Sequence, residues 1–178
     1  MRRVLLVVLL LAGCKDNAVT PVATAGYRDI PADQIVFNME QYVTDAGRRR
    51  AILRGDTAFV FDDSMKAHIK KVNLVLFDDA GAESAQLTAR EGDFSNTSQA
   101  MVARGNVVLV TRGPNPRTIE TEELHYDPNT HRVWSVVATT MREGTGTVKG
   151  TGFEADDRFV NVRITNASST GGGMRIQF

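Results

Sequence analysis

The sequence predicts an all-β protein made of antiparallel strands. Apolar and polar residues alternate with a period of two in successive segments, and turn-forming residues separate these segments about every ten positions. No segment keeps the period of an amphipathic helix. The clearest case is residues 101–128, where two alternating runs flank a turn at residues 112–116. The two prolines of that turn fix φ and remove backbone donors, which excludes a helix there.

The predicted strands begin near Gln34 and follow one another along the chain. The alternation places them at residues 35–42, 49–55, 58–61, 67–77, 85–94, 101–110, 117–126, 132–141, 145–149, 152–155 and 159–164. Within residues 117–126 the alternation slips phase, so that Leu124 and Tyr126 join the apolar face. A β-bulge would produce this slip.

Glycines recur inside these strands. Arg54-Gly55-Asp56, Glu91-Gly92-Asp93 and Arg104-Gly105-Asn106 form a weak repeat, and Gly150-Thr151-Gly152 is related to it. Glycine within a strand usually marks a bulge or a corner at which a sheet bends. We therefore expect that the sheet folds into a V-shaped stacked roll and not into a flat sandwich.

Composition and charge exclude two classes of protein. The 178 residues carry 21 basic and 21 acidic side chains, and loss of Arg2 and Arg3 with the first thirteen residues would leave 19 against 21. No basic field is available to attract nucleic acid, which is not expected as a partner. Cys14 is the one cysteine, so an intramolecular disulfide is impossible.

The N-terminal segment is typical of a bacterial signal peptide. Arg2 and Arg3 precede an apolar run at residues 4–12, which is too short to span a bilayer. Leu11-Ala12-Gly13-Cys14 resembles the lipobox, whose cysteine is lipidated and becomes the first residue after cleavage. We predict a signal peptide at residues 1–13 and a lipid anchor at Cys14. An ordinary signal peptide with a chance cysteine is the alternative.

A spacer follows the predicted anchor. Residues 14–33 are small, polar and interrupted by proline, which indicates a flexible tether. The β domain is predicted over residues 34–164, and the polar, glycine-rich residues 165–178 are predicted to form a mobile tail. Lys15 stands where enteric bacteria place an aspartate for inner-membrane retention, and this leaves the choice of membrane open.

Nothing in the sequence indicates an enzyme, a cofactor or a metal site. The paired aspartates at residues 62–63, 78–79 and 156–157 lie in turn-like sequence, where aspartate is favoured because it forms local hydrogen bonds. The three histidines show no ligand spacing and have no second cysteine to assist them. We therefore expect neither catalysis nor metal binding.

Four segments carry a resemblance to a known family. Residues 87–92 read LTAREG, 104–108 RGNVV, 119–128 IETEELHYDP and 150–156 GTGFEAD. In order and spacing, from about Gln34 to Ile164, the chain resembles the OstA-like domain of lipopolysaccharide-transport proteins and is identified as an LptC-type member in lipoprotein form. Membrane attachment ahead of the domain favours LptC over the related bridge protein LptA. Many members use a transmembrane helix there, whereas this chain is predicted to use lipid.

The resemblance implies a jellyroll whose interior shelters the acyl chains of lipopolysaccharide. A roll open along one side would offer its inward period-two positions as an apolar trough. In this register the trough residues are Leu53, Val72, Leu74, Leu76, Leu87, Ala89, Met101, Ala103, Val107, Leu109, Ile119, Thr121, Val148 and Phe153. Small residues such as Ala51 and Ala103 would leave width for lipid. Taken singly, each residue also fits the core of an ordinary sandwich.

The resemblance also implies partners at both edges of the sheet. Unpaired edge strands can accept a strand from a neighbouring jellyroll by β-augmentation. The predicted partner-edge residues are Ile35, Phe37 and Met39 on the first strand and Phe159, Val160, Val162 and Ile164 on the last. The first strand would meet the periplasmic domains of an inner-membrane exporter of LptF/LptG type. The last would meet a periplasmic bridge protein of LptA type.

These features predict a periplasmic, membrane-anchored component of lipopolysaccharide export. It would accept lipid from the inner-membrane ABC exporter and pass it to the bridge protein. An anchor facing the periplasm from the inner membrane is expected, with the outer membrane left open. The alternative is an outer-membrane-associated β-scaffold lipoprotein with a different partner or lipid ligand. Residues 48–50, three arginines, could contact lipopolysaccharide phosphates or form a solvated strand end.

Overall fold

The structure, a computed structural model, describes residues 30–170, which lie almost entirely in the second of two compact units, the one that begins at Ala32. Every regular element in this range is a β-strand, and the described residues contain no helix. The strands are β1 (Gln34–Asp45), β2 (Arg48–Phe61), β3 (Lys66–Phe77), β4 (Glu83–Ser95), β5 (Met101–Thr111), β6 (Arg117–Asp127), β7 (Arg132–Ser135), β8 (Thr139–Glu143), β9 (Gly146–Gly150), β10 (Gly152–Asp156), β11 (Val162–Thr165) and β12 (Ser168–Thr170). The predicted all-β class is confirmed.

The strands form one antiparallel sheet that follows the order of the chain. β1 to β6 pair successively, and β6 then pairs with β8 through residues 117–121 and with β7 through residues 125–127. Three further bent strands are each interrupted in the middle, and each consists of two consecutive elements: β7 with β8, β9 with β10, and β11 with β12. The two halves of each belong together because they pair with the two halves of the same neighbouring bent strand. Six long strands and three such pairs make nine bent strands in a meander.

The bends divide the sheet into two wings. The ladder between β5 and β6 shifts register between Arg104 and Val107, and that between β4 and β5 shifts between Thr88 and Glu91. The first wing contains β8, β9 and β12, the second wing contains β7, β10 and β11, and each of β1 to β6 contributes one half to each wing. The predicted V-shaped roll is therefore confirmed.

Glycines occupy bends where strands approach one another closely. A Cβ atom added at Gly55 would lie 2.2 Å from Ile69 Cγ2, and one added at Gly150 would lie 2.4 Å from the carbonyl oxygen of Thr165. The sequence repeat that contains these glycines therefore marks bends, as predicted.

The bounds of several strands differ from those predicted. The strands predicted at residues 49–55 and 58–61 are one strand, β2, because β2 pairs with β1 and with β3 both before and after its bend. The strand predicted at residues 132–141 is interrupted at its bend, between β7 and β8. The strand predicted at residues 159–164 begins only at Val162, and β12 lies in the segment predicted as a polar tail, where it pairs with β9.

The hydrophobic core lies between the inward faces of the two wings. Its largest fully buried side chains are Phe153, Leu53, Ile69, Leu74, Leu76, Leu87, Leu109, Ile119, Leu124, Val43, Val72 and Val107. Each contributes roughly 1.5–3 kcal/mol through its burial. A smaller cluster of Ile52, Val75 and Phe77 lies apart from this core, and the guanidinium of Arg49 stacks 4.3 Å from the centre of the Phe77 ring.

Some predictions fall outside the described residues. The signal peptide at residues 1–13, the lipid anchor at Cys14, most of the tether and residues 171–178 of the tail all lie there. Within residues 30–170, the structure contains no helix that is both long and apolar enough to cross a membrane.

Gly150→Ala should lower the free energy of unfolding by about 1–3 kcal/mol. The added methyl group would meet the backbone of Thr165, which is held by its own strand and cannot move aside. Urea denaturation followed by circular dichroism measures the change. Gly144→Asn is the control, because nothing lies within 4 Å of an added Cβ there and asparagine tolerates its φ of 55°. Unchanged stability of Gly150→Ala would contradict the close approach.

Candidate functional site

All fourteen predicted trough residues lie on the inward face of the roll. They come from seven strands, β2 to β6 with β9 and β10, and none is more than 8% exposed. Their shared orientation follows from the period of two, which each bend preserves by adding or skipping residues at the corner. The bends thus give both wings a common apolar interior.

The interior side chains of the described residues are buried. Ala51 and Ala103 are as completely buried as Leu53 and Leu109, so the small side chains allow the wings to pack against each other. The lipid trough at these positions stays a prediction, and a lipid there would replace contacts between the wings.

Thr121 differs from the other trough residues because its hydroxyl forms hydrogen bonds within the protein. Thr121 Oγ1 lies 3.1 Å from Ser135 Oγ and donates to the carbonyl oxygen of Ala138 at 3.0 Å. Thr139 Oγ1 donates to the carbonyl oxygen of Val137, also at 3.0 Å. These buried hydroxyls satisfy the backbone where β7 breaks before β8. Thr121 therefore stabilises a corner of the roll.

The first and last strands of the meander are the edges of the sheet, as the partner prediction requires. Among residues 30–170, β1 pairs only with β2, β11 only with β10, and β12 only with β9. Ile35 and Met39 are half-buried, whereas Phe37 is 53% exposed. On the other edge Val162 and Ile164 pack partly against the core.

Two predicted edge residues lie outside the last strand. Phe159 and Val160 belong to the turn between β10 and β11. Phe159 is 6% exposed and packs in the core, whereas Val160 is 69% exposed. Phe159 is therefore an interior residue, and Val160 lies at the tip of a turn.

The outward face of the second wing is a ladder of charged side chains. Its contacts are His68 Nδ1 to Asp93 Oδ1 at 2.9 Å, Arg104 Nε to Glu123 Oε2 at 2.9 Å, His125 Nε2 to Glu123 Oε1 at 2.9 Å, and the stack of His125 on Trp134 with ring centres 5.0 Å apart. Burial raises the pKa of the Asp93 carboxyl, but hydrogen bonds from His68 and Arg104 outweigh it and hold the pKa below its ordinary value. This polar outer face leaves the interior as the apolar surface for a lipid.

The acidic pairs have structural roles. Asp78 Oδ1 accepts hydrogen bonds from the backbone N–H groups of Ala80 and Ala82 at 2.9 Å, and Asp156 Oδ1 accepts one from Val160 at 3.0 Å. These are the local turn contacts that the sequence predicts for aspartate. Among the described residues, no three histidine, cysteine or acidic side chains are grouped so as to hold a metal ion.

The end of the roll that carries the β10–β11 turn holds polar groups that sequence reasoning missed. Tyr126 and Arg50 both bury polar atoms there, beside the buried carboxylate of Asp157. They lie on different strands and far apart in the chain, so no local pattern brings them together. One local feature helps to position Arg50: it is the extra residue of a β-bulge in β2, opposite Thr44 of β1.

Asp93→Asn should reduce the loss of stability that the wild type shows as the pH falls. The folded-state pKa of Asp93 is depressed, so its contribution is present above the unfolded pKa of about 3.9 and is lost as the pH falls through the folded value. Urea unfolding at neutral pH and at successively lower pH measures the difference. Asp63→Asn, in the exposed β2–β3 turn, is the control and should keep the wild-type profile. Identical profiles for both variants would show that the ladder does not stabilise the fold.

Comparisons with known proteins agree with the geometry. The sequence profile of the LptC family, described as lipopolysaccharide-assembly, LptC-related, matches residues 4–171. Among solved structures, the fold is similar to that of LptH from Pseudomonas aeruginosa, described as the LptA-homologous periplasmic component of the conserved lipopolysaccharide transport device. The two share 11% sequence identity with a TM-score of 0.56, over 69% of this chain and 95% of LptH. A search of curated proteins found no significant match.

The identity to LptH is too low to show more than the fold, whereas the family profile covers nearly the whole chain. The predicted jellyroll is confirmed by the first, and the predicted family by the second. The chain belongs to the LptC-related family of lipopolysaccharide-assembly proteins, which are transport scaffolds and not enzymes.

Proposed function

We propose that this chain is the periplasmic, membrane-anchored component of lipopolysaccharide export that accepts lipid from an inner-membrane ABC exporter and passes it to a bridge protein. One observation carries the proposal: an apolar interior runs through both wings of the roll, and within residues 30–170 the sheet ends in β1 on one side and in β11 and β12 on the other. An interior of this kind can hold acyl chains, and edges of this kind can extend it into a neighbouring roll.

Acyl chains would take the place of contacts between the wings. The inward side chains now bury one another, and a lipid tail of similar polarity can replace those contacts at little net cost in apolar burial. The hydrogen bonds of the ladders lie within each wing and resume beyond each bend, so they can persist when the wings separate. Opening the roll therefore removes packing contacts between the wings, and contacts with the acyl chains replace them.

The two edges would receive different neighbours. β1 is the first strand of the sheet among residues 30–170, and its side away from β2 would receive a strand from the periplasmic domains of an exporter of LptF/LptG type. β11 and β12 would offer the same chemistry to a bridge protein of LptA type, because within the described residues each pairs with one neighbour. Strand addition at both ends would join the apolar interiors end to end.

The anchor is the remaining part of the proposal. A lipid on Cys14 with a tether through residue 33 would hold the roll at a membrane surface, with its first strand next to the exporter. The family profile begins its match at residue 4 and so includes this segment. Attachment to the outer membrane would favour the scaffold alternative, because the exporter is an inner-membrane complex.

A photoreactive probe at Leu109 should form adducts with lipopolysaccharide, and one at Val108 should not. Leu109 faces the interior and Val108, next to it on β5, faces outward. A diazirine amino acid of leucine size suits both positions, since it preserves packing. The experiment is done in cells that make lipopolysaccharide, with and without ATP depletion, and adducts at residue 109 should require ATP.

Absence of adducts at residue 109, with the probe incorporated and the protein folded, would contradict the lipid-binding role. The interior would then be a permanent core, and the chain would join partners through its edges alone. Equal labelling at residues 108 and 109 would contradict the inward register.

Val36→Lys should weaken binding to the purified periplasmic domains of the exporter by about tenfold. Val36 lies on β1 and is 38% exposed, so an added strand would bury the new ammonium group without a partner. Val136→Lys is the matched control, at an exposed bend six strands away from β1 in the sheet order. Affinity for the bridge protein should stay unchanged in both variants. Equal exporter affinity for Val36→Lys and Val136→Lys would contradict docking on β1.

A further inference from the structure

The turn between β10 and β11 closes one end of the roll. This capping turn, residues 157–161, starts on the second wing and reaches across to the first. Ser84 Oγ donates to the carbonyl oxygen of Asp157 at 3.2 Å, and Arg117 Nη1 donates to that of Phe159 at 3.2 Å. Ser84 and Arg117 lie at the starts of β4 and β6, so these contacts join the wings at the end opposite the bends.

The capping turn is a preformed unit. The Asp156 carboxylate accepts hydrogen bonds from the backbone N–H groups of Arg158 at 3.2 Å and Val160 at 3.0 Å and from Asn161 Nδ2 at 3.0 Å. Phe159 has a left-handed φ of 56°, which an aromatic residue rarely adopts, and its ring is buried in the core. The turn thus keeps its shape through its own contacts, while two donors on the first wing hold it in place.

Beneath the capping turn, two buried donors have no hydrogen-bond partner among the described residues. Tyr126 is 2% exposed, and its hydroxyl is one of them. The other is Nε of Arg50, whose terminal nitrogens donate to Asp79 at 2.6 Å and Asp45 at 3.4 Å. A buried donor without an acceptor costs about 1–3 kcal/mol. An acceptor supplied by a ligand would recover that energy.

Both donors lie near the capping turn. Asp79, which binds Arg50, lies 3.8 Å from Arg158 of the turn, and Tyr126 is paired with Val133, whose partner Ala155 comes just before the turn. Burial, and after it the Asp157 carboxylate, raises the pKa of the Tyr126 hydroxyl far above its ordinary value, while nearby Arg50 acts in the opposite direction. The hydroxyl therefore stays protonated and able to donate at any pH that a cell meets. Asp157 is itself engaged, since His131 Nδ1 lies 2.8 Å from its Oδ2.

The outer side of the same end carries a pocket lined by two arginines and two aspartates. The pocket has a volume of about 410 Å³ and is lined by Arg48, Arg49 and the β3–β4 turn, residues 78–81. Asp79 in its wall is already paired with Arg50 and lies 3.8 Å from Arg158. Arg50 thus connects this pocket with the buried donors, and an anionic group could approach along it.

We propose that Tyr126 and Arg50 form a polar subsite for the ester, amide and phosphate oxygens at which the acyl chains of lipopolysaccharide join its phosphorylated sugar. The subsite rests on the lipid-binding role proposed above and adds an orientation to it. Oxygens at this junction accept hydrogen bonds and have none to donate, which matches two donors, and the acyl chains continue into the apolar interior behind them. The capping turn must lift before the junction can enter, because it joins the two wings above the subsite.

Tyr126→Phe tests the subsite, because it removes the hydroxyl and keeps the ring. The full chain is titrated with purified lipid A, and its stability is measured by urea denaturation. We expect lipid A to bind about 3- to 10-fold more weakly, the loss of one hydrogen bond. Stability should be unchanged or slightly higher, since the hydroxyl has no partner to lose. Tyr42→Phe is the matched control, because its hydroxyl bonds Glu40 on the exposed edge, and its affinity should equal that of the wild type.

Each alternative outcome has a distinct meaning. If the wild type binds lipid A and Tyr126→Phe binds it equally well, the subsite is wrong and the proposed function stands. If the wild type does not bind lipid A, the proposed function fails. A loss of stability in Tyr126→Phe would show that the hydroxyl is bonded within the protein or to buried water, which contradicts the subsite. Dioctanoyl phosphatidylglycerol supplies the same ester and phosphate oxygens, and a loss of affinity for it alone would overturn the assignment to lipopolysaccharide.

Discussion

The continuity of the hydrogen-bond ladder through the bends is the constraint on which this protein depends. A strand can bend only where its neighbours also bend, since the ladders on both sides must resume in register beyond the corner. The chain meets this requirement with residues that accept unusual backbone geometry at mid-strand. Asn38, Lys71, Asn106 and Asn166 have left-handed φ values of 49° to 52°, and Gly55 and Gly150 leave room where strands nearly touch. Because every strand bends, one sheet supplies both walls of an interior.

The same constraint shapes the edges. β1 bends at Asn38, and the last strand bends at Asn166 between β11 and β12. A strand that joins either edge along its whole length must bend at the same level, or pairing stops at the corner. Another roll of the same architecture meets this condition. The fold of LptH shows that such rolls exist among periplasmic components of lipopolysaccharide transport.

The interior combines two demands that usually conflict. It supplies most of the apolar burial that stabilises the fold, and the proposed function needs it to admit lipid. The structure separates these demands in space. Backbone hydrogen bonds hold neighbouring strands together, and charged side chains on the outward face of the second wing add ion pairs. The two wings, by contrast, meet through side-chain packing and the capping turn. Packing can be exchanged for lipid, whereas the ladders need not change.

Local periodicity predicted most of the strands and their inward face, glycines within the strands predicted the bends, and a run of motifs indicated the family, because each of these is encoded over a few neighbouring residues. Leu109 and Phe153 face inward as their alternation predicts. Tertiary structure alone decided that Phe159 fills the core from a turn and that β12 pairs within a polar segment. It also brought Arg50 beneath the capping turn with Tyr126, on strands that do not pair. These outcomes depend on how the two wings meet at the end opposite the bends. The residues that meet there are far apart in the chain, so no local sequence pattern predicts their contact.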